Sequence, residues 1–176
     1  MDTYAIVLYF DNVTNASINE IIKNVAIISG NNYMVEVNIP PHITIGSFLS
    51  GDYSELCKGI ENIVDHIERG TVKFDSIKAF EPRVMFMSPI NDTILEQLNE
   101  LVHDQFLKNF LPADNDNYLP ENWIPHCALA VRLSMEQFEK AMIIKNRIKF
   151  PIFAEIQKIA LAKCNPYKEI AVWDIR

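Results

Sequence analysis

Residues 40–46 read PPHITIG, and residues 123–130 read WIPHCALA. In each stretch a proline stands directly before a histidine, and alternating residues follow it. Proline is tolerated at the first residue of a strand, so Pro41 and Pro125 mark two strand starts. A histidine at such a place either packs and bonds locally or is placed to move a proton. Two copies at matching places favour the second reading, and the elements around them show that the places match.

Four small polar residues are each followed three positions later by Glu or Gln, a helix-start pattern. They are Ser17 with Glu20, Asp52 with Glu55, Thr93 with Glu96, and Ser134 with Gln137. Each leads into apolar residues at helical spacing. The first helix should stop at Gly30 and the second at Gly70. Strand-like runs fall at 5–10, 42–48, 72–80, 84–90, 126–133, 154–162 and 169–175. The order strand, helix, strand, helix, strand therefore occurs twice. One domain, residues 1–176, is expected from two repeats of approximately 1–82 and 83–176. Helices would cover one face of each sheet, and the other faces would meet across a groove.

The chain has 176 residues, 49% of them apolar, with ten Phe, six Tyr and two Trp, enough for a sizeable core. Its net charge of −7 opposes a broad phosphate-tracking surface, so a long nucleic-acid tract is not an expected partner. A small or terminal piece of nucleic acid in a pocket is compatible with that charge. The cysteines Cys57, Cys127 and Cys164 are odd in number and form no CxxC. They read as reduced thiols in a cytoplasmic protein. The apolar run near the start is too short for a signal or membrane segment.

Strand alternation places His42, Thr44, Gly46 and Phe48 on one face. It places His126, Ala128, Ala130 and Arg132 on one face of the other strand. A pseudo-twofold axis between the halves would bring the histidines together from opposite sides. Such a pair suits displacement at phosphorus: one imidazole takes a proton from the attacking water and the other gives one to the departing oxygen. Thr44, two residues after His42, can hold a non-bridging oxygen.

The two motifs HITI and HCAL, each after Pro and each in one repeat, resemble the paired H-x-T/S-x motifs of the 2H phosphoesterases. The 2′-5′ RNA ligase-like branch is the most similar, and the resemblance extends to PRVMFMSP (82–89) and NWIPHCALA (122–130). It implies an α+β fold of two pseudo-twofold related lobes, mostly antiparallel, with helices outside and a central groove. It implies a metal-independent enzyme without cofactor that hydrolyses, or reversibly forms, phosphodiesters on a nucleotide or RNA end with a 2′,3′-cyclic phosphate, or on a small cyclic nucleotide. His42 and His126 become the catalytic pair and Thr44 a phosphate-binding hydroxyl. Ala128 departs from the pattern, since Thr or Ser is expected there. A catalytically weak binder of nucleotides or RNA ends is the alternative that this departure favours.

Alternation turns Cys127 away from His126, toward the core. Two histidines alone leave a zinc site short of ligands. His66 and His103 are expected at the surface. Arg83, at a strand start, reaches a phosphate or a carboxylate, or is simply solvated. Arg132 would bind a distal part of the substrate, and Phe48 would offer a ring for a base to stack on. Segment 109–122 reads as a loop at the groove rim, a lid carrying Tyr118.

Overall fold

The structure is a computed structural model that describes residues 1–90 and 93–176. Strand β1 spans Asp2–Phe10 and leads into helix α1, Asn12–Ser29. The helix starts earlier than the Ser17 pattern suggests, because the Asp11 carboxylate accepts from the backbone N–H groups of Val13 and Thr14. It ends at Gly30, whose φ of 75° is the left-handed conformation glycine adopts without strain. A short helix α2, Tyr33–Glu36, precedes β2, His42–Ser50. Helix α3, Tyr53–Val64, is capped by Asp52 as expected, and β3, Thr71–Phe80, closes the first half.

The second half runs β4 Val84–Pro89, α4 Thr93–Phe106, a two-residue β5 Leu111–Pro112, β6 Cys127–Ala130, α5 Met135–Met142, β7 Ile152–Lys163 and β8 Lys168–Asp174. The cap of α5 is the capping box expected from Ser134 and Gln137. Strand β6 is shorter than the run 126–133, ending before Arg132, whose φ is 58°.

All pairings among the described residues are antiparallel, in the order β5-β2-β1-β7-β3-β4-β6, with β8 also on β7. From β2 to β6 this order reads the same from either end once β1, β2 and β3 are matched to β4, β6 and β7. Each half therefore lends its third strand to the other half's sheet. Strand β7 is long enough to do both tasks, pairing with β3 through Ile152–Glu155 and with β1 through Ile156–Lys163.

The helices cover one face. There Ile6, Leu8, Ile43, Ile45, Leu56, Met85, Met87, Leu95, Leu129 and Ile159 form the main core. The opposite face of the first lobe carries a smaller set, Ala5, Val7, Tyr9 and Ala160. His42 pairs with Tyr9 and Thr44 with Val7, so both lie on that second face.

Both motif strands carry a β-bulge, and at the same place. Thr44 faces Val7 but Gly46 faces Ile6, so Ile45 is the extra residue. Ala128 faces Phe86 but Ala130 faces Met85, so Leu129 is the extra residue. In each half the bulge is three residues after the histidine. A bulge reverses the alternation beyond it. Phe48, expected beside His42, is therefore fully buried on the helix face, stacked at 5.4 Å on His103 and 5.3 Å on Phe106.

Candidate active site

Strands β2 and β6 lie against each other, and the buried Cys127 thiol meets the backbone of His42. The histidine ends of the two strands therefore converge. Cys127 sits in the core as alternation requires, and burial pushes its thiol up to about 12.

The two imidazoles are held alike. The His42 Nδ1–H donates to the Pro40 carbonyl at 2.7 Å, and the His126 Nδ1–H donates to the Ile124 carbonyl at 2.8 Å. In each case the acceptor lies two residues upstream, across the proline. Because a carbonyl only accepts, the bond fixes the tautomer and leaves Nε2 to take or give a proton. Burial lowers both histidines from the ordinary 6.5, while the carbonyl bonds partly offset it. At His42 a positive charge on His126 adds to the lowering. The charge repulsion favours a pair with one proton, the state an acid–base couple uses.

The surroundings differ on the two sides. His126 packs against two rings, edge-on to Phe80 at 5.1 Å and tilted to Phe86 at 5.1 Å. His42 instead faces Tyr9, whose hydroxyl donates to Glu169 Oε2 at 3.0 Å and lies 3.0 Å from the Tyr167 hydroxyl. Burial, then Tyr167 and the Glu169 charge, raise the Tyr9 phenol far above its usual range.

A cavity of about 560 Å³ opens beside His126. Its walls include Phe80, Asp114, Tyr118, Trp123, His126 and Ala128. Segment 109–122 supplies part of this wall. It is not all loop, since Leu111 and Pro112 pair with Leu49 and Phe48 as β5. Asp114, Asn115 and Asp116 then take positive φ, which Asn and Asp tolerate. The Ser47 hydroxyl donates to Asp114 Oδ2 at 2.5 Å. Tyr118 lies over Thr44. Its phenol is pushed up to about 12, by burial first and by the Asp114 charge next, while a hydrogen bond with Thr44 pulls it down.

His126, Ala128 and Tyr118 line this cavity, while Thr44 meets the Tyr118 phenol and His42 feels the charge of His126 without either of them lining it. Thr44 is buried beneath the loop and Ala128 is half-buried at the cavity wall. Arg83 is exposed in the turn between Phe80 and Val84, two cavity residues, and makes no ion pair among the described residues. Arg132 is displaced by the bulge. Its guanidinium lies 4.1 Å from the Tyr33 ring centre and donates to Asn165 Oδ1 at 3.1 Å. His66 is exposed, but His103 is buried on the inner side of α4, its Nδ1–H donating to the Asn99 carbonyl at 2.7 Å. Sequence reading missed Phe80, Phe86, Tyr9 and Asn99. The signal for Phe86 and Tyr9 was register, which a bulge hides. Among the described residues no group of three or more His, Cys, Asp or Glu is placed to hold a metal ion.

A family model described as "2′-5′ RNA ligase superfamily" matches residues 33–165, which include both motifs. The chain belongs to the 2′-5′ RNA ligase superfamily. The paired motifs thus mark a 2H phosphoesterase, a class of enzymes that act on phosphodiesters and cyclic phosphates. Solved structures share the superfamily fold over nearly the whole chain. TT0787 of Thermus thermophilus is 15% identical with a TM-score of 0.64, covering 99% of this chain and 98% of that one. LigT of E. coli, complexed with 3′-AMP, is 13% identical with a TM-score of 0.57 over 99% and 98%. Usb1 of Kluyveromyces marxianus is 9% identical with a TM-score of 0.59 over 99% and 97%. Among curated proteins the comparison finds no match. No described helix is long and apolar enough to cross a membrane.

Proposed function

We propose that this chain opens a 2′,3′-cyclic phosphate, at an RNA end or on a small nucleotide, with His42 and His126 as general base and acid. One Nε2 takes a proton from water as its oxygen attacks phosphorus. The other gives a proton to the ribose oxygen as the P–O bond breaks, and a phosphate monoester results. Thr44 donates to a non-bridging oxygen. Tyr118, Trp123 and Phe80 offer apolar faces beside His126 for the nucleoside, and Arg83 reaches from the rim. The observation that supports this most is the matched pair of imidazoles, each with Nδ1 tied to the carbonyl two residues upstream. That LigT was solved with 3′-AMP supports a nucleotide as ligand.

The test is turnover of a panel of 2′,3′-cyclic nucleotides and cyclic-phosphate-ended oligonucleotides in EDTA, with the product read by phosphorus NMR. Hydrolysis that survives chelation is expected. Loss in EDTA with rescue by a divalent metal contradicts the two-histidine mechanism. A second reading, a binder of nucleotides or RNA ends with little turnover, is favoured by Ala128, where the second motif lacks its hydroxyl. Tight binding of a nucleotide without turnover is the result that selects it.

A further inference from the structure

We infer that Asn99 and Trp123 are positioning residues that set the geometry of the first histidine motif from the other half of the chain. The turnover part of the inference rests on the phosphoesterase reading above. Strand β2 is nearly an edge: β5 pairs only with Phe48 and Leu49, and Ala113 N–H adds a bond to the Ser47 carbonyl, which leaves His42 to Gly46 without a ladder partner on that side among the described residues. The bulge at Ile45 also breaks the ladder to β1. Buried carbonyls without a donor are costly. Here two side chains supply the donors. Trp123 Nε1–H donates to the Thr44 carbonyl at 3.1 Å, and Asn99 Nδ2–H donates to the Ile45 carbonyl at 2.9 Å.

Asn99 is 1% exposed and uses its amide twice. The second bond goes to the Tyr118 carbonyl at 2.9 Å. One amide thus ties the bulge next to Thr44 to the loop residue whose phenol meets Thr44. Trp123 stands three residues before His126, so the approach to the second motif also grips the first. Neither residue needs to touch the phosphate. Both act through Thr44 and Tyr118, and a misplacement of about 1 Å at such groups can cost about a hundredfold in rate.

Two measurements test this. Trp123→Phe keeps the ring and removes the Nε1 donor. On a 2′,3′-cyclic nucleotide its kcat should fall about tenfold, and that loss of kcat should vanish in a Thr44→Ala background, where nothing remains to be positioned. An equal loss in both backgrounds, or none in either, overturns the role of Trp123. The second measurement needs no turnover. In Asn99→Ala the loop loses its tie, so Tyr118 should become more exposed and titrate nearer the usual 10, as an extra phenolate absorbance that Tyr118→Phe abolishes. A Tyr118 that titrates as in the parent protein overturns the role of Asn99. Should the parent protein turn nothing over, the phosphoesterase reading fails, and the tyrosine titration still decides the positioning.

Discussion

At the scale of single residues, His42 and His126 differ from ordinary strand-start histidines in having the same bond to the same relative carbonyl. His42→Ala and His126→Ala should each lower kcat/KM about 10²-fold or more. The pH profile has a direction. Both imidazoles are held below 6.5 in the free protein, so the general acid loses its proton early as pH rises. The kcat/KM profile should be a bell whose optimum lies below pH 6.5, and a maximum well above 7 would contradict it. Ala128 presents a methyl group at the cavity wall, at the motif position that corresponds to Thr44. A hydrogen bond to a charged oxygen is worth about 1.5–3 kcal/mol, so Ala128→Ser should raise kcat/KM about tenfold or more. An unchanged rate in a folded variant means that another donor fills the place. The placement of His42, His126, Thr44 and Tyr118 was legible because they lie before the bulges or in a loop that composition marks. That of Phe48 and Arg132 was not, because they lie beyond the bulges.

At the scale of elements, the two bulges are the feature periodicity could not reveal. A strand read by strict alternation has no sign of an inserted residue, yet one residue moves every later side chain to the other face. Gly46 follows the first bulge, and a Cβ there would meet Val102 Cγ1 at 2.8 Å and Phe48 Cε2 at 2.9 Å. Gly46→Ala should therefore destabilise the fold by about 1–3 kcal/mol in urea unfolding. Helix α4 buries His103 against Phe48, its Nε2 without a hydrogen-bond partner among the described residues. Burial lowers its pKa, with the Asn99 carbonyl bond and the charges of Glu121 and Asp104 opposing. The unfolded chain binds a proton near pH 6.5 that the folded His103 refuses, so stability is lost as pH falls below 6.5. Melting temperature should drop less between pH 6.5 and 5.5 in His103→Leu than in the parent. An equal drop would assign the acid sensitivity to the other histidines. His103 lies on the inner side of α4 and not at the surface as expected, while its neighbour Asp104 lies on the exposed side of the same helix.

At the scale of the whole molecule, the repeat in element order marked the two middle strands and the family resemblance implied the α+β class, while the exchange of β3 and β7 between sheets left no mark in the sequence. That exchange makes each lobe depend on both halves of the chain, and it sets β2 against β6. Net charge acts at this scale too. With −7 overall, and with Arg132 turned toward Tyr33 and Asn165 so that Arg83 is left at the rim, oligonucleotide affinity should be nearly independent of length. A salt slope corresponding to about six phosphate contacts would show a long binding track instead. The central claim is that His42 and His126 work on one phosphate. It is tested most directly by kcat/KM on a 2′,3′-cyclic nucleotide for His42→Ala, His126→Ala and the double variant. Two groups that act as a unit should each cost about as much alone as together. Single losses that multiply in the double variant, or a single variant that keeps full activity, would contradict a shared site.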